Sequence, residues 1–155
     1  MDDHSAPPQA SIDLTGEIAD AVNRATTRHA PLAIAYVDGA GRPHLSLRGT
    51  VQVYSDTELA LWARSAGLPD ALASNPSVAL LYQDLANHTL YQFTGRARRV
   101  DDADARDRVY GGSPEHERSQ DPDRAGTAVI VEVDSVRGRG PNGMVAMTAG
   151  HTVDP

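Results

Sequence analysis

The chain has 155 residues, 40 % of them hydrophobic and 23 % charged, with a net charge of -7 and no cysteine. That is the size and mix of one globular domain with a single core. It excludes a disulfide framework, a thiolate metal site and a cysteine nucleophile, and the acidic balance argues against a nucleic-acid partner. All 14 basic residues are arginine, so a phosphate held by a side chain must be held by Arg, His or a hydroxyl. No apolar run approaches the ~20 residues of a membrane helix. The opening Met1-Asp2-Asp3-His4 lacks the basic and apolar regions of a secretory signal. No membrane partner is expected, and the expected compartment is the cytoplasm.

Residues 1–11 are polar and proline-containing and predict a disordered tail. Ser11 is a candidate helix cap, and Leu14, Ile18, Ala21, Val22 and Ala25 recur on one helical face. Gly16 weakens that helix, and Pro31 ends it near His29. Residues 32–37 form a short apolar strand, and 38–41 a turn. In residues 43–48, Leu45 and Leu47 share one face while His44, Ser46 and Arg48 share the other. Extended chain continues through Val51, Val53 and Tyr54, and residues 59–63 make the next strand.

Residues 64–67 read as a loop, Pro69 starts a short helix, and Asn75-Pro76 stops it. Strands follow at 78–82 and 89–100, then a short helix opened by Asp101, Asp102 and Asp104 and running to Tyr110. Residues 111–126 predict a long polar loop, and 127–133 a β-branched strand. The Arg137-Gly138-Arg139-Gly140 stretch and all of 138–155 predict an irregular C-terminal tail, leaving 12–137 as the folded domain. About six strands joined by turns predict a mainly β fold: a β-barrel of antiparallel strands with small helices. The six histidines show no metal-ligand spacing, and no serine has a hydrolase context.

The order of these features resembles the pyridoxamine 5'-phosphate oxidase-like split barrel. The resemblance is carried by the hairpin at 32–48 with Gly41-Arg42-Pro43-His44 at its turn, by Leu59-Ala60-Leu61-Trp62-Ala63-Arg64, by Leu72-Ala73-Ser74-Asn75-Pro76-Ser77-Val78-Ala79-Leu80, and by Phe93-Thr94-Gly95-Arg96-Ala97. It implies a six-stranded antiparallel Greek-key split barrel and a homodimer. It also implies a cofactor between the subunits: flavin mononucleotide (FMN) or, in some branches, deazaflavin (F420) or haem. The enzymes of the family move a hydride between a small organic substrate and the flavin.

Carried over by position, His44, Ser46 and Arg48 would run beside the flavin ring edge. Trp62, Ala63, Arg64 and Ser65 would meet the ring and phosphate. Members that hold the phosphate tightly carry a cation where this chain has Gly67-Leu68. Two readings therefore stand: a flavin- or deazaflavin-dependent oxidoreductase, and a non-catalytic ligand-binding or dimerisation protein that has lost the phosphate site. A haem-binding member is a third, with His44 or His88 as ligand. The polar stripe also reads as the solvated face of a half-buried strand, and Trp62 as core packing.

Overall fold

A computed structural model describes residues 10–150. One antiparallel sheet organises them. Its strands are β1 (Leu32–Val37), β2 (Pro43–Arg48), β3 (Gln52–Val53), β4 (Glu58–Ala63), β5 (Ser77–Asp84), β6 (Thr89–Val100), β7 (Thr127–Gly140) and β8 (Gly143–Thr148). The order across the sheet is β2-β1-β5-β6-β7-β4-β3, with β8 also paired to β7. Four short helices complete the chain: α1 (Glu17–Asn23), α2 (Gly67–Ala71), α3 (Ala103–Gly111) and α4 (Glu115–Ser119).

Strand alternation sends one side chain in two into the main core, which gathers Leu32, Ile34, Leu80, Tyr82, Tyr91, Phe93, Val129 and Val131. β4 is different, because five of its six residues are buried. Leu59, Leu61 and Ala63 enter the main core, while Ala60 and Trp62 pack with Val109, Tyr110, Ala128 and Ile130 in a smaller cluster beneath α3. That two-sided burial is why residues 59–63 are an unbroken apolar run rather than an alternating one.

The mainly β antiparallel architecture is as expected, with eight strands where about six were counted. Three local expectations are corrected. The first helix starts at Glu17 with Gly16 at its N-cap, not at Ser11. The Asp13 side chain accepts from the amide and hydroxyl of Thr15, a local turn that competes with helix. Ile12 and Leu14 still reach the core, but from a segment without regular secondary structure.

The second correction is at the C-terminus. Residues 137–140 continue β7, and β8 pairs back on it, so the expected irregular tail is ordered strand through Thr148, while its last residues, 151–155, lie outside the described residues. Gly138 (φ 153°) lets the strand pass β6: a Cβ there would lie 1.8 Å from the Leu90 carbonyl oxygen. The glycines that read as irregular are what permits this pairing. Third, Ala10 bridges to Met147, with its amide donating to the Ala146 carbonyl at 3.1 Å, so the N-terminal segment is ordered by residue 10. The rest of the expected disordered tail, 1–9, lies outside the described residues.

The polar loop at 111–126 contains α4. Thr94-Gly95 marks a register shift between β6 and β7, and a Cβ on Gly95 would fall 2.2 Å from the Glu132 carbonyl oxygen. Among the described residues, no helix is long and apolar enough to cross a membrane.

Candidate functional site

β2 is an edge strand, and its two faces are the reverse of a usual surface strand. Its register with β1 puts Arg48 opposite Leu32, Ser46 opposite Ile34 and His44 opposite Tyr36, on the side where β1 faces the core. Leu45 and Leu47 stand on the outer side, opposite Ala35 and Ala33, and are 76 % and 69 % exposed. So Ser46 and Arg48 are half-sheltered, His44 at the other end of the stripe is exposed, and the leucines face outward.

At the Arg48 end of the stripe lies a cavity of about 330 Å³, walled by Leu47, Arg48, Gly49, Thr50, Trp62, Arg64, Ser65 and Glu117. Four of the seven expected residues, Arg48, Trp62, Arg64 and Ser65, meet there. Arg48 Nε donates to Ser46 Oγ at 3.1 Å, so Ser46 orients the guanidinium from behind. Burial pushes the Arg48 pKa down from its ordinary value, the mark of a guanidinium with part of its water removed. Among the described residues neither Arg48 nor Arg64 makes an ion pair within 4.0 Å. Two guanidinium groups without a close ion-pair partner and a hydroxyl on one concave wall have the chemistry that suits an anion.

The other three expected residues do not line it. Ser46 acts only through Arg48. His44 lies at the far end of β2, stacked on Tyr36 with ring centroids 4.8 Å apart, and its Nε2 is 2.8 Å from Asp38 Oδ2. Ala63 points into the core and is 1 % exposed.

Trp62 serves packing as well as the cavity wall. Its indole N–H donates to Asp121 Oδ2 at 2.9 Å, its ring meets Tyr110 edge-on at 5.2 Å, and the Arg106 guanidinium lies 4.8 Å from its centroid. Asp121 also accepts from the amides of Ala125 and Gly126. These bonds, the indole one foremost, hold its carboxyl pKa below the usual value. Asp121 therefore stabilises the fold above the unfolded carboxylate pKa, and that stabilisation is lost as pH falls through the lower folded value. We expect Asp121→Asn to lower the melting temperature at pH 7, and the gap to wild type to narrow as pH falls below the unfolded carboxylate pKa of about 4. A gap that is constant with pH would show that the charge of Asp121 is not what matters.

Three residues escaped the sequence reading. Thr50 is buried, and its hydroxyl accepts from Trp62 N and donates to Trp62 O, each at 2.9 Å, locking β4 beside the cavity. Glu117 on α4 folds back over Gly49, where a Cβ would lie 2.3 Å from Glu117 Oε1. It brings a carboxylate into a cavity otherwise lined by two cations. Asp121 is the third. The position where tight phosphate binders carry a cation, Leu68, is fully buried in the core.

A family model described as pyridoxamine 5'-phosphate oxidase matches residues 17–139, most of the chain. The chain belongs to the pyridoxamine 5'-phosphate oxidase family. Its fold is the split barrel of that family. HupZ of Group A Streptococcus superposes with a TM-score of 0.65 at 16 % identity, over 86 % of this chain and 97 % of that one. A pyridoxamine 5'-phosphate oxidase-related, FMN-binding protein of Nostoc punctiforme gives 0.63 at 18 % identity, over 90 % and 88 %. An FMN-binding protein of Syntrophomonas wolfei gives 0.58 at 6 % identity, over 77 % and 84 %. At these identities the likeness carries the fold. No curated protein matches the chain.

Proposed function

We propose that the protein is a homodimeric oxidoreductase that binds flavin mononucleotide, or a deazaflavin, in the Arg48/Arg64 cavity and acts on a small organic substrate. The observation that carries this reading is the pair of arginines, without ion-pair partners, in one concave site of a family fold. A flavin supplies hydride transfer to and from its ring, and the protein supplies binding, orientation and charge. Arg64 and the Ser65 hydroxyl provide donors for the phosphate. Arg48, partly desolvated, provides a positive charge for the electron-rich edge of the ring.

The exposed outer face supports the dimer. Leu45, Ala33, Ala35, Ala79 and Leu81 line one shallow cleft of about 250 Å³ with no charged residue, and a contiguous apolar patch is a protein-contact surface. Haem has less support, because His44 Nε2 is engaged with Asp38. His88 sits on an exposed turn at φ 50°.

The test is an absorbance spectrum of the purified protein, followed by titration of the apoprotein with flavin mononucleotide and with deazaflavin. A yellow protein, or saturable binding at one site per chain, is expected. A colourless protein that binds neither would overturn the reading and favour a non-catalytic binding module. Glu117 is an internal handicap to a dianionic phosphate, at a cost of about 1 kcal/mol for unit charges a few Å apart in a wet site. Glu117→Gln is accordingly expected to tighten flavin mononucleotide binding roughly fivefold. Unchanged affinity would place the phosphate away from α4.

A further inference from the structure

A second and larger cavity, of about 450 Å³, shares no residue with the arginine site. It lies where α1 crosses the ends of β5 and β6 beside the β7–β8 turn, and its walls include Glu17, Asp20, Arg28, Tyr82, Asp84 and Tyr91. Its charges are unevenly answered. Asp20 is taken by two arginines, Arg24 and Arg28, each at 3.2 Å. Arg28 also sits beside the Tyr82 hydroxyl and in the field of Asp84, whose Oδ2 accepts from the Asn87 side-chain amide at 2.7 Å. Glu17 has only the neutral Asn142 amide as a close partner. Among the described residues no cation pairs with it.

Tyr91 makes the cavity more than an acidic patch. Its ring is fully buried, and its hydroxyl is the one buried side-chain polar atom without a hydrogen-bond partner among the described residues. Such a group costs about 1–3 kcal/mol unless something satisfies it. The hydroxyl and Glu17 Oε2 converge on Gly140, where a Cβ would be 2.3 Å from the first and 2.9 Å from the second. A side chain at 140 would fill the spot. Burial, then the Glu17 charge, push the Tyr91 pKa up to about 12, so the phenol stays neutral and can accept as well as donate. The Tyr82 and Tyr91 rings, stacked with centroids 6.0 Å apart, provide an aromatic wall.

We propose that this cavity binds a small organic cation, a primary ammonium on an apolar body, with the ammonium held between Glu17 and the Tyr91 hydroxyl. The carboxylate supplies the charge, the phenol oxygen accepts a second hydrogen bond, and the tyrosine rings cover the apolar part. The proposal stands independently of what the arginine cavity binds.

The experiment is calorimetric titration of the full chain with benzylamine, and with benzyl alcohol as its neutral counterpart. Saturable benzylamine binding at one site per chain is expected, with a Kd of roughly 0.1–1 mM, as for other small single-anchor ligands. Benzyl alcohol is expected to bind about tenfold more weakly or worse, the scale of one charged hydrogen bond lost. Glu17→Gln, a change on the surface of α1, is expected to cost benzylamine a similar factor, and Tyr91→Phe, checked by its melting curve, to weaken it too. Arg64→Ala should leave benzylamine binding unchanged. No saturable benzylamine binding, equal affinity for the amine and the alcohol, or indifference to both Glu17→Gln and Tyr91→Phe would each overturn the proposal.

Discussion

Arg64→Ala is expected to weaken flavin mononucleotide binding by about 1.5–3 kcal/mol, roughly ten- to a hundredfold, the scale of a charge-assisted hydrogen bond lost. The size follows from what else the cavity offers. Leu68 is core, so no second cation stands beside Arg64 at the phosphate end. The Ser65 hydroxyl is neutral, and the Thr50 hydroxyl is already committed to Trp62. Arg64→Lys is expected to recover only part of the loss, because an ammonium keeps the charge but not the planar fork that grips two phosphate oxygens. The affinity of the wild type should also fall with added salt, since Arg64 is exposed and its field is screened beyond about 10 Å at 0.1 M ionic strength. Quenching of flavin fluorescence during titration measures all three. Unchanged affinity in Arg64→Ala would remove Arg64 from the site.

What the sequence disclosed, and what it hid, follows from which interactions are local. The strands at 32–37, 59–63 and 89–100 were legible because alternation, or its replacement by an unbroken apolar run, is a property of neighbouring residues. The two faces of 43–48 were legible as well, but not which one is the more sheltered. Leucine on a strand ordinarily goes inside; here the register with β1 turns it out. The end of β7, and with it the pairing of β8, was hidden because Arg137-Gly138-Arg139-Gly140 carries the composition of a loop. Its conformation is decided by the Leu90 carbonyl, 48 residues earlier in the chain, past which only glycine fits.

The cavity shows the same division. Arg48, Trp62, Arg64 and Ser65 came from a family resemblance at the ends of two strands. Ala63 came with them because it is adjacent in sequence, yet alternation sends it to the core. Glu117 and Asp121 had no signal, since a glutamate in a polar loop and an aspartate before a proline look like any solvated acid. Only the fold brings Glu117 over Gly49, 68 positions away, and Asp121 to the indole of Trp62.

The outward leucines lead to the result with the widest consequence. Changing Leu45 and Leu47 together to aspartate is expected to convert a dimer to a monomer by light scattering, and to abolish flavin binding with it. Each leucine buried against a partner contributes about 1.5–3 kcal/mol through apolar area removed from water. Each aspartate would instead carry an unpaired charge into that contact, at a penalty of several kcal/mol. Together these exceed what a small interface has to spare once the cost of association is met. The fold of the single chain should survive, because both side chains are 69–76 % exposed in it and surface substitutions shift stability by about 0.5 kcal/mol or less. Leu47 also walls the arginine cavity, so Leu45→Asp alone decides the flavin outcome: loss of dimer and flavin together in that variant, with circular dichroism unchanged, would show that the cavity needs a second chain to close over the ring. A monomer that still binds flavin would show the cavity to be complete within one chain. A variant that stays dimeric would move the interface off this face and leave the leucines for a different partner.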